Sequence, residues 1–425
     1  MTIQALYDIY LQFPNVETDT RKIKQNDIFF ALKGPNFNGN VFAKTALEMG
    51  ASYCVCDEET ACQNDKIIFV EDVLATLKNL AKYHREQFNI PFIAITGSNG
   101  KTTTKELVSA VLSKKYICYT TKGNLNNHIG IPLTLLSVKQ DAEIAVIEMG
   151  ANHQKEIEEY CTYTLPTHGL IANCGKAHLE GFGGIEGVKK GKGELYNFIR
   201  NTNGTIFINT DYDYLVEMCK GITNQVTYGI HNATNTGEVL HDEHFLEVNI
   251  TKPESIGEVK TQLAGNYNLP NILSAVCIGK HFGVADNDIK SALEEYVPSN
   301  SRSQIMQHGT NTILLDAYNA NPSSMKVAIE NFAAMEGENK IVILGGMMEL
   351  GEESLQEHQG IVDLLKQYNF TKIILTGEDY KNLPSDFLHF TTSAETASWF
   401  KQANIQNSFI LVKGSRGMAM EKILA

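Results

Sequence analysis

The stretch from Pro91 to Thr104 constrains the fold more than any other. A strand-type apolar run, Pro91 to Ile95, leads straight into Gly97-Ser98-Asn99-Gly100-Lys101-Thr102, and a helix is expected from about Thr103. Strand, Gly-rich turn and helix in that order build a phosphate-binding loop. The glycines let backbone N–H groups turn inward, and the helix N-terminus adds partial positive charge. The lysine reaches the outer phosphates, and the hydroxyl after it can hold Mg²⁺. Gly97, Asn99, Gly100, Lys101, Thr102 and Thr103 are therefore candidate nucleotide contacts, with Lys101 also catalytic and Thr102 also a metal ligand. Only Ser98 and Asn99 separate Gly97 from Gly100, a shorter spacing than the common phosphate loop has. A Gly-rich turn with a chance lysine is the plain alternative.

At 425 residues the chain exceeds one core and implies two or three domains. With 43% hydrophobic and 20% charged residues it reads as an ordinary globular protein. A net charge of −13 leaves no excess of cations for nucleic acid, so an acidic phosphorylated substrate needs local basic pockets. No apolar run has the length of a membrane span. The start, Met1-Thr2-Ile3-Gln4, lacks a basic region and an apolar signal core, so a cytoplasmic protein is expected. The eight cysteines are scattered. Cys54 and Cys56 lack zinc-site spacing and would share one strand face in a core, and all eight are read as reduced structural thiols.

Strand-type runs alternate with helical patterns throughout, which predicts an α/β protein. Residues 1–87 form a smaller N-terminal α/β segment whose last helix carries Val73, Leu74, Leu77, Leu80 and Ala81 at helical spacing. Residues 88–298 hold the phosphate loop and a largely parallel sheet. Residues 299–425 read as a Rossmann-like unit, entered through the polar stretch Pro298–Arg302.

Three further stretches carry chemistry. Glu148 follows the apolar run Ile144–Ile147, at the sheet edge where ligands of open α/β sheets bind. There it could take Mg²⁺ together with Thr102, or be an exposed carboxylate capping a strand. His178 sits in the Gly-rich run Ala172–Gly184 and reads as a metal ligand, an acid–base group or a solvated loop histidine. Lys189, Lys190 and Lys192 read as a basic helix face, in which Gly191 and Gly193 would allow close approach.

These signals, taken in order, resemble the Mur ligase superfamily, the ATP-dependent amide-forming enzymes of peptidoglycan precursor synthesis. The likeness rests on Lys101, Glu148, the loop His178-Leu179-Glu180-Gly181-Phe182-Gly183, and Lys192-Gly193-Glu194. It implies three domains: a central ATPase-type parallel-sheet domain, a small UDP-sugar-binding domain before it, and a Rossmann-like domain after it. It implies ATP and two Mg²⁺ ions as cofactors, with a carbamylated Lys192 and His178 holding the second ion. Asn268 and Asn271 resemble the asparagines near adenine, although Tyr267 stands where histidine is usual. Arg302 resembles an arginine that approaches the ATP phosphates, and Asp316 an aspartate that holds the ribose. On the residues alone, Arg302 and Asp316 would be read as an interdomain ion pair.

The run Leu315-Asp316-Ala317-Tyr318-Asn319-Ala320-Asn321, with Gly123–Leu135 and Glu148–Asn152, is similar to the branch that joins D-alanyl-D-alanine to UDP-N-acetylmuramoyl-tripeptide. Asn126, Asn127, Asn152, Tyr318, Asn319 and Asn321 are its implied substrate contacts. Asp19, Arg21 and Lys33 resemble the segment that receives the UDP-sugar, where Asn38 and Asn40 replace the usual aspartate and histidine. Gly346 likewise stands in place of an aspartate. A monomer is expected. The alternatives are a related ligase adding another amino acid, or a phosphate-loop scaffold that ligates nothing.

Overall fold

The computed structural model describes residues 1–61, 64–243, 245–298 and 302–424. Cys62 and the residues 299–301 between the central and C-terminal segments lie outside these. Three main sheets follow one another along the chain, in a three-domain α/β architecture. The first holds four parallel strands in the order Val16–Glu17, Ile28–Phe30, Tyr53–Cys56, Ile67–Phe69. Cys54 and Cys56 share one buried face, as their alternation required.

The central sheet has nine strands. Their order is Gly257–Lys260, Glu247–Lys252, Asn235–His241, Asn224–Gly229, Thr205–Asn209, His168–Ile171, Phe92–Thr96, Ile144–Glu148, Cys118–Thr120. From Asn235–His241 to Cys118–Thr120 neighbours run parallel, and the two strands beyond Asn235–His241 are antiparallel. Every residue of Phe92–Thr96 and Ile144–Glu148 is buried, because helices cover both faces. Alternation then divides the strands: Phe92, Ala94, Ala145 and Ile147 enter one core cluster, and Ile93, Ile95, Ile144 and Val146 the other. Strand Phe92–Thr96 lies between Ile144–Glu148 and His168–Ile171, where the chain order reverses. Ligands of open α/β sheets bind at such a switch point.

Arg85 joins the first segment to this sheet. It ends helix Val73–Arg85, lies 3.8 Å over the Phe92 ring, and donates to the carbonyls of Thr164, Leu165 and Phe88. The third sheet runs Gln304–His308, Asn311–Asp316, Phe409–Lys413, Ile341–Gly345, Lys372–Thr376, Leu388–Phe390, all parallel except the first pair. Register sets Asp316 beside Lys413 at the carboxyl ends of neighbouring strands.

Two expectations need correction. The loop helix begins at Lys101 rather than near Thr103, because Gly100 at φ 77 turns the chain directly into it. Glu148 is the last strand residue rather than the first of a loop, and at 1% exposure it is not a solvated cap.

Candidate active site

The phosphate loop is built by its glycines. Gly97 takes φ +151 and Gly100 φ +77, and a Cβ on Gly100 would fall 2.7 Å from Asn271 Oδ1. Lys101 folds back over the loop and donates to the carbonyls of Gly97 at 2.6 Å and Ser98 at 3.1 Å. Burial pulls its pKa down to about 8, opposed by the Glu148 charge and assisted by Arg302. It is still mostly an ammonium at neutral pH. Asn173, from the loop after His168–Ile171, braces the turn: its Oδ1 accepts from Asn99 N–H at 3.0 Å and its amide donates to Asn99 O.

Thr102 and Glu148 meet behind the loop. Glu148 Oε1 accepts from the Thr102 hydroxyl at 3.1 Å and from the Asn126 amide at 2.7 Å. Its Oε2 is buried without a hydrogen-bond partner among the described residues, 3.9 Å from the Lys105 ammonium. A hydroxyl, a carboxylate and an uncommitted anionic oxygen are the hard oxygen donors Mg²⁺ prefers, so this pair fits the metal the sequence implied.

The second implied metal pair is not assembled. The His178 imidazole, at a residue with φ 53, pairs through Nδ1 with Glu349 of the third sheet's domain. Lys192 is 1% exposed in helix Ile185–Thr202, donates to Ala151 O at 3.1 Å, and lies 5.0 Å from the Phe182 ring centre. Among the described residues no three His, Cys, Asp or Glu side chains gather as a metal cage. Burial and the neighbouring Lys101 charge lower the Lys192 pKa to about 7. The basic-face reading thus fails for Lys192 and holds for exposed Lys190 and for Lys189, which pairs with Glu186. Gly191 does not leave free room, since a Cβ there would sit 2.4 Å from the Phe182 ring. Glu194 caps helix Glu156–Thr164 by accepting from the N–H groups of Lys155 and Glu158.

The C-terminal domain closes over this edge. Asn321 donates to Asn99 Oδ1 at 2.7 Å while capping helix Pro322–Ala334. Ser323 Oγ accepts from Lys176 N–H, and the Lys176 ammonium pairs with Glu357. Arg302 and Asp316 do not pair with each other. Arg302 stacks 3.6 Å over the Tyr318 ring, and Asp316 is held by buried Lys413, which also donates to Asn319 O.

Other implied contacts lie elsewhere or are committed within the protein. Asn127 Oδ1 accepts from the N–H groups of Ile129 and Gly130 at the start of a helix, and Asn152 is exposed. Asn271 accepts from Thr104 and donates to Asn268, which donates to Ala264 O, so both asparagines support the phosphate loop from behind. In the N-terminal sheet domain Asp19 pairs with exposed Arg21, and Lys33 pairs with Asp57 and Glu58. Asn173, Glu349 and Lys413 were not expected as site residues. The only sequence signal for them was that each ends or follows a strand at the carboxyl edge of its own sheet.

The pattern of the Mur ligase family catalytic domain matches residues 12–92, the Mur ligase middle domain 95–279, and the Mur ligase glutamate ligase domain 301–416. The chain belongs to the Mur ligase family. It is 33% identical to the UDP-N-acetylmuramoyl-tripeptide–D-alanyl-D-alanine ligase of Bacillus subtilis over 96% of this chain and 92% of that protein. The Escherichia coli enzyme of the same name is 34% identical, with the same coverage. Among solved structures, MurF from Acinetobacter baumannii aligns with a TM-score of 0.86 at 30% identity, covering 96% of this chain and 92% of that one. MurF of Thermotoga maritima in complex with ADP aligns with a TM-score of 0.86 at 26% identity, over 97% of both chains.

Proposed function

We propose that this protein is the ATP-dependent ligase that joins D-alanyl-D-alanine to UDP-N-acetylmuramoyl-tripeptide, giving the pentapeptide precursor of peptidoglycan, ADP and phosphate. The observation that carries this reading is the Asn321–Asn99 hydrogen bond. It brings the Asp316–Asn321 run, the stretch most like the D-alanyl-D-alanine-adding branch, onto the phosphate loop.

A carboxylate is a poor electrophile, so the tripeptide carboxylate must first be activated. Its oxygen attacks the γ-phosphorus of ATP, ADP leaves, and an acyl phosphate forms. The D-alanyl-D-alanine amine then attacks the acyl carbon and phosphate leaves. Lys101, the N-terminus of helix Lys101–Ser113 and Arg302 supply positive charge where the transferred group becomes more anionic. Mg²⁺ bound at Thr102 and Glu148 would offset phosphate charge. Asp316, paired with Lys413, would accept from ribose hydroxyls. The C-terminal domain excludes water from an intermediate that hydrolyses readily. The enzyme is read as a cytoplasmic monomer whose domains divide near residues 87 and 298.

The carbamate on Lys192 belongs to this proposal: it would create the second Mg²⁺ site that the unmodified lysine, with His178 paired to Glu349, does not form. An amine with a pKa of about 7 is half neutral at that pH, and only the neutral amine adds to CO₂, forming N–COO⁻ and releasing a proton. The carbamate would then offer anionic oxygens where the ammonium offers only donors. A carbamate ¹³C resonance in protein equilibrated with ¹³C-bicarbonate, absent in Lys192→Met, supports it, and no such resonance removes it.

An ADP-release assay tests the function. With UDP-N-acetylmuramoyl-tripeptide and Mg-ATP, D-alanyl-D-alanine should be ligated much faster than D-alanine, D-glutamate or a diamino acid. Preference for a single amino acid moves the chain to another branch, and turnover independent of both substrates rejects ligation.

A further inference from the structure

Tyr267 occupies a position where the family pattern carries histidine, in a loop that meets the C-terminal domain. Its ring folds back over Gly265: a Cβ on that glycine, whose φ is +91, would come within 2.2 Å of the ring. The Tyr267 hydroxyl shares a 2.7 Å hydrogen bond with Ser303 Oγ. Next to it, Asn266 N–H donates to Asn331 Oδ1 on helix Pro322–Ala334 at 3.3 Å.

Ser303 has φ 48, the left-handed region that a side chain with a Cβ adopts at a cost. Such a backbone persists only where its surroundings over-determine it. Two contacts do so here. The Tyr267 hydroxyl holds the Ser303 side chain, and Asp316 Oδ1 accepts its backbone N–H at 3.3 Å. The residue before it is Arg302, clamped against the Tyr318 ring, with a buried Nε that has no hydrogen-bond partner among the described residues. Arg302 is close enough to Lys101 for the two cations to repel. The turn at Ser303 therefore sets the direction in which a cation enters the phosphate site.

We propose that Tyr267 is a positioning residue for the nucleotide: through Ser303 it holds the left-handed turn that aims Arg302 at the phosphate loop. The inference rests on the ATP site proposed above. It gives the departure from histidine a physical role, because the hydroxyl at the tip of the phenol is the atom that meets Ser303.

The test uses the full chain, with ADP binding by calorimetry and KM for ATP by ADP release. Tyr267→Phe keeps the ring over Gly265 and removes the tether. It should weaken ADP binding and raise KM about fivefold, the scale of one hydrogen bond, with melting temperature nearly unchanged. Ser303→Ala should match it, and the double variant should be no worse than either single one. Ser303→Gly in the Tyr267→Phe background should recover most of the loss, because glycine takes the positive φ without a tether. Wild-type-like binding by Tyr267→Phe, or multiplicative losses in the double variant, would overturn the clamp alone. Failure of the wild type to bind ADP would overturn the ATP site, and the clamp with it.

Discussion

At Glu148 the two carboxylate oxygens meet different surroundings. Oε1 accepts from Thr102 and Asn126, while Oε2 is buried with no hydrogen bond among the described residues and Lys105 stands 3.9 Å away. Burying a carboxylate so sparsely satisfied costs stability, and proteins keep such arrangements where an ion or ligand is to be met. Glu148→Gln should therefore lower ADP release by about a hundredfold or more. The same change should leave the melting temperature in Mg²⁺-free buffer nearly unchanged, since the neutral isostere removes a desolvation cost while Lys105 keeps Glu106 and Thr121 O as partners. A large fall in that temperature would assign the charge to holding the loop. Lys101→Ala should likewise abolish turnover and spare the fold, because among the described residues its ammonium bonds only to loop carbonyls. At this scale the sequence was most legible where chemistry is local. Gly97 to Thr102 could be read because neighbouring residues fix their geometry, and Glu148 could be noticed because an apolar run leads into it. Asn173, Glu349 and Lys413 could not, because their partners come from other strands or another domain.

Helix Ile185–Thr202 shows what glycines do inside an element. A Cβ on Gly187 would stand 1.9 Å from Phe182 O, and one on Gly191 2.4 Å from the Phe182 ring. The helix thus receives the loop that carries His178 at van der Waals distance, and Lys192 is buried beneath it. Gly187→Ala should destabilise the protein by about 2 kcal/mol or more, because the obstructing atom is backbone and cannot swing away. Gly191→Ala should cost less, since the Phe182 ring can shift. Denaturant melts of the two variants check the order, and equal costs would mean that the loop is loosely held. The glycines were visible in the sequence, but their role as a packing groove was not, since it depends on Phe182. Elsewhere, the apolar runs Pro91–Ile95 and Ile144–Ile147 located their strands to within a residue. The antiparallel addition Asn235–Lys260 was missed because polar residues interrupt every apolar run, and in its first strand Asn235 and Thr236 are buried while Val239 and Leu240 are exposed.

Across the whole molecule, acid should be the weakness. Burial lowers the pKa of His84, His168, His281 and His358, with His168 reaching about 4 beside Phe207, Phe282 and His281. These rings are neutral in the fold and take up protons in the unfolded chain below about pH 6.5, so the unfolded state binds more protons there. Stability is complete above that pH and falls as pH drops toward 4. For His168 alone a shift of this size is on the order of 3 kcal/mol. His168→Phe should flatten the decline of unfolding free energy between pH 6.5 and 4, and an unchanged slope would mean that the ring is hydrated. The Asn99–Asn321 bond has a consequence of another kind. It makes the conformation of the phosphate loop a function of where a second domain stands, so nucleotide affinity is a property of the assembled chain rather than of the central sheet. Thermodynamic reciprocity then fixes a number shared by two measurements. The factor by which domain docking strengthens ATP binding must equal the factor by which ATP favours docking, and an isolated central domain would bind weaker by that same factor.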